Sequence, residues 1–181
     1  MLNLQTIDLT TVGQILGIFL AFFGFFVYFA KTRQGILLTK LISDVGYCIQ
    51  QIMIGATTGA LINGFAILRE FVFYHRNTKR WASHRIWLYF FIVLMNLSPI
   101  LTWAGPISLL PALGSTISVI ALYCQKPWHT RIFAFLSLIP WIIYASVVRN
   151  YGMLIGIPVQ MIASLLGLIR DYREFRATKK V

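Results

Sequence analysis

The amino-acid sequence predicts an all-α integral membrane protein with seven transmembrane helices. Of its 181 residues, 58% are hydrophobic and only 12% are charged, whereas a soluble domain carries about 25% charged residues. The apolar residues form runs of about 20, the length that a helix needs to cross a bilayer. These runs leave too few residues for a soluble catalytic domain. Because they also separate the basic residues, the net charge of +11 does not indicate a nucleic-acid-binding surface.

Charge clusters, glycine and proline set the boundaries of the predicted spans. In chain order the spans cover 11–30, 36–55, 56–76, 86–104, 105–125, 131–149 and 151–170. Gly55 alone separates the second span from the third, and Gly105-Pro106 separates the fourth from the fifth. The residues before the first span include Asp8 and no Lys or Arg, so we predict a retained helix rather than a cleaved signal peptide.

The basic residues predict the orientation of these spans. With the N-terminus outside, fifteen of the sixteen Lys and Arg residues fall in the inner connections, and only Arg149 lies outside. Merging or losing one span would invert every later loop and spread these charges over both faces, against the positive-inside rule. We therefore predict seven helices, with the N-terminus outside and the C-terminus in the cytoplasm.

An internal repeat is predicted within a single membrane domain of residues 1–181. A shift of 101 residues places Gly55 on Gly156 and Arg69 on Arg170. Because three helices reverse the direction of the chain, two units in the same orientation need one extra helix between them. The predicted layout is a first three-helix repeat (11–76), a linker helix (86–104), a second three-helix repeat (105–170) and a basic cytoplasmic tail (171–181).

The second span carries one polar face. Four side chains are spaced by four, three and four residues and share one side of a helix: Lys40, Asp44, Tyr47 and Gln51. Asp44 falls close to the bilayer midplane, where a carboxylate must be paired, protonated or hydrated. Either Asp44 and Lys40 form an ion, proton or substrate site, or they form a structural pair in which Lys40 reaches the inner face.

Other residues are candidates for movement during function. Charged pairs that are equivalent under the repeat end the third and seventh spans: Arg69-Glu70 and Arg170-Asp171. They form either a cytoplasmic gate or solvated helix-end charges. Pro140 and Pro158 interrupt the sixth and seventh spans, where they act either as hinges or as static kinks.

Apolar, glycine-rich motifs carry a family resemblance. They are LLPALGSTISVIALYCQK (109–126), the segment around Trp141, GLIRDYREFR (167–176) and, more weakly, GIFLAFFGFFVYFAKTR (17–33). On these motifs the chain resembles the YgjV family of bacterial inner-membrane proteins. The resemblance implies a bacterial inner-membrane location and does not imply a substrate.

More distantly, the layout is similar to that of SWEET and PQ-loop proteins, which implies alternating access for a small polar solute. The Pro-Gln dipeptide is absent, and the nearest approach is Pro158-Val159-Gln160. In SWEETs, residues on the second and third helices of each repeat line the site. The resemblance therefore implies substrate-binding roles for the matching positions: Tyr47, Asn63, Trp141, Gln160 and Ser164.

Motifs for catalysis and for cofactor or metal binding are not found. The sequence contains no Gly-x-Ser-x-Gly, no P-loop and no dinucleotide-binding motif. His75, His84 and His129 lie among basic residues without a helical His-x-x-x-His pair. We therefore expect no enzyme activity, no cofactor and no metal site.

These observations favour a multi-pass inner-membrane transporter of a small polar solute. The alternative is a non-transporting membrane protein that binds lipid or stabilises a membrane assembly. The expected partner is the lipid bilayer, and anionic lipid at the cytoplasmic face and a homodimer are further hypotheses. No nucleic-acid partner is expected.

Overall fold

The described part of the chain is all-α, as predicted. The computed structural model describes residues 8–29, 32–124 and 127–178, and describes the side chains of all of these except 24–29, 127, 171 and 174–178. The α-helices in these ranges are α1 (Leu9–Phe29), α2 (Arg33–Met53), α3 (Thr57–His75), α4 (Arg80–Ser83), α5 (Ile86–Leu101), α6 (Leu109–Tyr123), α7 (Pro127–Val147) and α8 (Tyr151–Thr178). A 3₁₀ turn at Pro106–Ser108 precedes α6.

Three helical segments within the described residues are long and apolar enough to cross a membrane: Pro106–Tyr123, Trp128–Val147 and Tyr151–Arg170. Leu9–Phe23 and Ile86–Leu101 are shorter apolar helical segments. By contrast, α2 and α3 contain several charged side chains, which lowers their hydropathy. The all-α class is therefore confirmed for the described residues, which contain three candidate membrane spans, and the full seven-span layout stays a prediction.

Two glycines lie at the predicted helix boundaries. Gly55 follows α2 with a φ of 75°, and Gly105 precedes the 3₁₀ turn with a φ of 93°. L side chains rarely adopt such angles, whereas glycine adopts them without strain. The breaks between neighbouring helices therefore fall where the glycines predict them.

Six helices close a ring through their pairwise contacts. Going round it, α1 packs on α2, α2 on α3, α3 on α6, α6 on α7, α7 on α8, and α8 on α1. The remaining long helix, α5, packs against α3 and α6 from outside this ring. The first three long helices and the last three therefore meet along two seams, α3 with α6 and α8 with α1.

The seam between α1 and α8 depends on two glycines. A Cβ atom added to Gly152 would lie 2.4 Å from the Cα atom of Gly17, which is closer than carbon atoms approach in proteins. Small residues allow membrane helices to pack backbone to backbone. The contact between these glycines therefore sets how closely α8 approaches α1.

Arginine side chains link the other seam at one end of the bundle. Arg33 donates from Nη1 to the carbonyl oxygen of Phe73 at 3.1 Å and from Nη2 to that of Leu122 at 3.0 Å. The guanidinium carbon of Arg76 lies over the ring of Tyr123, 3.5 Å from the ring centroid, and Arg76 Nη1 donates to the backbone carbonyl oxygen of Tyr123. Cations at helix C-termini satisfy carbonyl groups that lack an intrahelical partner. We call this end, where α3 and α6 terminate, the basic end.

Candidate functional site

A polar cavity of about 80 Å³ lies inside the ring of helices. Its walls come from α2, α3, α6, α7 and α8. The polar and aromatic side chains that line it are Lys40, Asp44, Tyr47, Asn63, Arg69, Ser115, Ser118, Thr130, Arg131, Ser137, Trp141 and Gln160. A water molecule takes about 30 Å³ in the liquid, so the cavity has room for a few waters or for one small solute.

Most of the residues predicted to bind substrate lie around this cavity. Those that line it are Asp44, Tyr47, Asn63, Trp141 and Gln160. Ser164 is not among the lining residues: it is buried one helical turn beyond Gln160, and its hydroxyl donates to the carbonyl oxygen of Arg131 at 3.2 Å. Ser164 therefore links α8 to α7 beside the cavity.

A cluster of four charged side chains lies at one side of the cavity, which three of them line. It contains Lys40, Asp44, Arg69 and Glu70. Lys40 Nζ lies 3.1 Å from Asp44 Oδ1 and 3.7 Å from Glu70 Oε1. Arg69 Nη2 lies 2.8 Å from Glu70 Oε1 and 3.7 Å from Asp44 Oδ2. Each cation therefore faces both carboxylates, and the formal charges of the cluster cancel.

Burial makes this cluster sensitive to the loss of one member. Asp44, Arg69 and Glu70 expose 5%, 1% and 0% of their surface, while the Lys40 side chain exposes 28%. Two opposite charges that leave water together offset part of each other's desolvation cost, but one left alone does not. We infer that the four side chains act as a unit, in which the predicted pair of Lys40 and Asp44 is only half.

The pairs proposed as a gate differ in their surroundings. Arg69 and Glu70 are buried, so their interpretation as solvated helix-end charges is wrong. The reason is that α2 packs on α3 and brings Lys40 and Asp44 against them. Arg170 is half-buried on α8, and the side chain of Asp171 lies outside the described residues.

The described lining of the cavity contains few side chains of the types that ligate metals. Among the described residues, no group of three or more His, Cys, Asp or Glu side chains lies close enough together to hold one. Asp44 is the only acidic residue in the described lining of the cavity, and Lys40 already donates to both of its oxygens, at 3.1 and 3.2 Å.

Comparison with known protein families places the chain in one of them. The family model Imp-YgjV, described as a bacterial inner membrane protein, matches residues 11–175. The chain belongs to the Imp-YgjV family. This confirms the resemblance found in the sequence and the bacterial inner-membrane location. No curated protein and no solved structure matches the chain.

In this Imp-YgjV chain, both predicted hinge prolines lie within continuous helices beside the cavity. Pro140 is in α7, next to Trp141, and Pro158 is in α8, next to Ile157. A proline inside a helix frees the carbonyl group four residues earlier and weakens the helix there. Both prolines therefore lie where bending would change the shape of the cavity.

Sequence patterns missed part of the wall that α7 contributes. The sequence predicts Arg131 among the cations of the inner connections, and the structure shows that it is 1% exposed and lines the cavity. Its guanidinium packs on α8, since a Cβ atom at Gly167 would lie 2.4 Å from its Nη1. Thr130 and Ser137 line the same wall. The spacing of these residues in the sequence does not predict a shared polar face. They face the cavity because α7 packs on α6 and α8.

Proposed function

We propose that this chain is a multi-pass inner-membrane carrier that moves a small polar solute by alternating access. The observation that carries the proposal is the cavity inside the ring, which five helices line with polar side chains. Transporters place their substrate sites near the bilayer midplane, at the interface between repeats. The solute would bind beside Asp44, Tyr47, Asn63, Trp141 and Gln160.

The order of helices in the ring supports two repeated units, α1 to α3 and α6 to α8, with α5 as the linker. Exchanging α1 with α6, α2 with α7 and α3 with α8 converts every neighbouring pair in the ring into another neighbouring pair. The α1–α2 contact becomes α6–α7, and the α8–α1 seam becomes the α3–α6 seam. This is the relationship expected of parallel repeats about an axis along the membrane normal.

Alternating access requires each seam to open at one end of the bundle. At the basic end, which we propose faces the cytoplasm, Arg33 and Arg76 hold the α3–α6 seam. The α8–α1 seam is closed by Gly17 and Gly152. Breaking the arginine contacts would admit solute from the basic end, and bending at Pro140 or Pro158 would reshape the walls.

Flux into proteoliposomes tests this proposal with a matched pair of variants. Asn63 lines the cavity, whereas Asn96 lies on α5 and donates to Thr116 Oγ1 at 2.9 Å. We expect Asn63→Ala to reduce the flux of a transported solute and Asn96→Ala to leave it unchanged. Asp44→Asn is expected to reduce it too. Absence of flux for every small polar solute tested with the unaltered protein would overturn the proposal.

One observation favours lipid binding as a second function. Lys79, Arg80 and Arg85 are exposed at the basic end, close in sequence to Trp81, which is 45% exposed. Basic residues beside a membrane attract anionic headgroups by about 1 kcal/mol each. If the purified protein retains anionic lipid and shows no flux of any solute, lipid binding would be favoured over transport. The mass of the protein in detergent would test the proposed homodimer.

A further inference from the structure

We propose that the cavity recognises an anionic group through Arg69, so that the solute is a small carboxylate or another small oxyanion. This inference rests on the proposed carrier function and names its substrate class. It depends on which hydrogen-bonding groups around the cavity are already engaged by protein atoms.

Arg69 lines the cavity and has buried donors without an acceptor among the described residues. The residue is 1% exposed, and its guanidinium donates from Nη2 to Glu70 Oε1 at 2.8 Å. Its Nε and Nη1 atoms are buried and have no hydrogen-bond partner among the described residues. A buried charged donor without an acceptor is costly, and guanidinium donors match the geometry of carboxylates and other oxyanions. An oxyanion in the cavity would supply the acceptors.

The carboxylate in the wall is engaged, in contrast. Both oxygens of Asp44 accept hydrogen bonds from Lys40 Nζ, at 3.1 and 3.2 Å, and Oδ2 also faces Arg69 Nη2 at 3.7 Å. Asp44 therefore offers little to a cation in the cavity. Arg69 is held by Glu70 on one side, so it can bind an anion without leaving a carboxylate unpaired.

The position of Arg69 also limits the rest of the solute. Asn63, Ala66 and Arg69 line the cavity from one face of α3, three residues apart. Asn63 lies about 9 Å along the helix axis from Arg69. An anionic group at Arg69 would therefore direct the remainder of the solute toward Asn63, and a volume of about 80 Å³ favours a small solute.

Binding of acetate and acetamide to the purified full-length protein tests this inference, because the two probes have similar size and differ in charge. We expect acetate to bind and to raise the thermal midpoint, and acetamide to do neither. Arg69→Gln alone would strand Glu70, so the informative variant is Arg69→Gln/Glu70→Gln, with Glu70→Gln as its matched control. Loss of hydrogen bonds to a charged group should weaken acetate binding by about 10-fold to about 100-fold in the double variant relative to that control.

Equal binding of acetamide and acetate would overturn the inference. Acetate binding of the same strength in the double variant and in the Glu70→Gln control would overturn it too. The latter result would assign the acetate to a cation other than Arg69. Flux of methanesulfonate, which does not cross a bilayer as a neutral acid, separates this inference from the carrier function. If an anion binds at Arg69 but no flux is seen, the anion site is supported and the carrier function is overturned. If a neutral solute is transported and the double variant still transports it, only the anion site is overturned.

Discussion

Gln50 and Asn150 exchange two hydrogen bonds in the interior of the bundle. Gln50 Nε2 donates to Asn150 Oδ1 at 2.9 Å, and Asn150 Nδ2 donates to Gln50 Oε1 at 3.0 Å. Both side chains are 0% exposed. Asn150 Oδ1 also accepts from the backbone N–H of Met153 at 3.1 Å, which caps the start of α8. The pair therefore joins α2 to the start of α8, at the opposite end of the bundle from Arg33.

Replacing both amides of this pair should destabilise the protein by less than the sum of the two single replacements. Gln50→Ala or Asn150→Ala strands a buried amide, which costs about 1–3 kcal/mol. The double variant leaves neither amide without its partner, so the two losses of stability should not add. We expect the difference between their sum and the loss in the double variant, the coupling energy, to be about 0.5–3 kcal/mol. Thermal midpoints in detergent measure this. Gln34→Ala, at an exposed position of α2, is the control; strictly additive effects would contradict the expectation.

Gly152→Ala should separate α8 from α1. The added Cβ would lie 2.4 Å from Gly17 Cα, and because backbone cannot yield cheaply we expect a loss of about 1–3 kcal/mol in stability. Gly64→Ala is the matched control, since a Cβ there would meet only Cys48 Sγ, at 4.0 Å. Thermal unfolding compares the two. Equal stability of both variants would show that the α1–α8 seam is wider than the structure indicates.

Arg69→Met should be among the most damaging single substitutions. It leaves Glu70 and Asp44 with Lys40 as their only cation in the described cluster, and removing one partner of a buried ion pair costs about 3–5 kcal/mol. Arg69→Met/Glu70→Met removes one charge of each sign and should recover much of the loss. The measurement is the yield and thermal midpoint of folded protein. A double variant less stable than the single one would refute the view that Arg69 and Glu70 compensate each other.

Cysteine labelling tests the proposed orientation. Ser83 is exposed at the basic end, and Ala104 is exposed at the opposite end, between α5 and the 3₁₀ turn. In a chain with Cys48 and Cys124 replaced by Ser, we expect an impermeant reagent to label Ala104→Cys in intact cells. Ser83→Cys should be labelled only after the membrane is permeabilised. The reverse pattern would invert the topology and place the basic end outside.

Features within one helix were predictable from the sequence. The spacing of Lys40, Asp44, Tyr47 and Gln51 predicts a shared face. The first three line the cavity, with Lys40 Nζ 3.1 Å from Asp44 Oδ1, and Gln51 does not. Gly55 and Gly105 likewise mark helix boundaries, with φ angles of 75° and 93°. These predictions hold because helical periodicity and glycine's backbone freedom are local properties of the chain.

Only the tertiary structure decided which charges are buried and which helices meet. Arg69 and Glu70 read as helix-end charges in the sequence, yet the packing of α2 on α3 brings Lys40 and Asp44 against them. Arg131 likewise became a cavity residue only through the packing around α7. Exposure and ion pairing between helices depend on neighbours far along the chain, and neither hydropathy nor periodicity encodes their distances. The sequence by itself determined an all-α membrane chain and the polar face of α2, while the arrangement of the helices decided what that face meets.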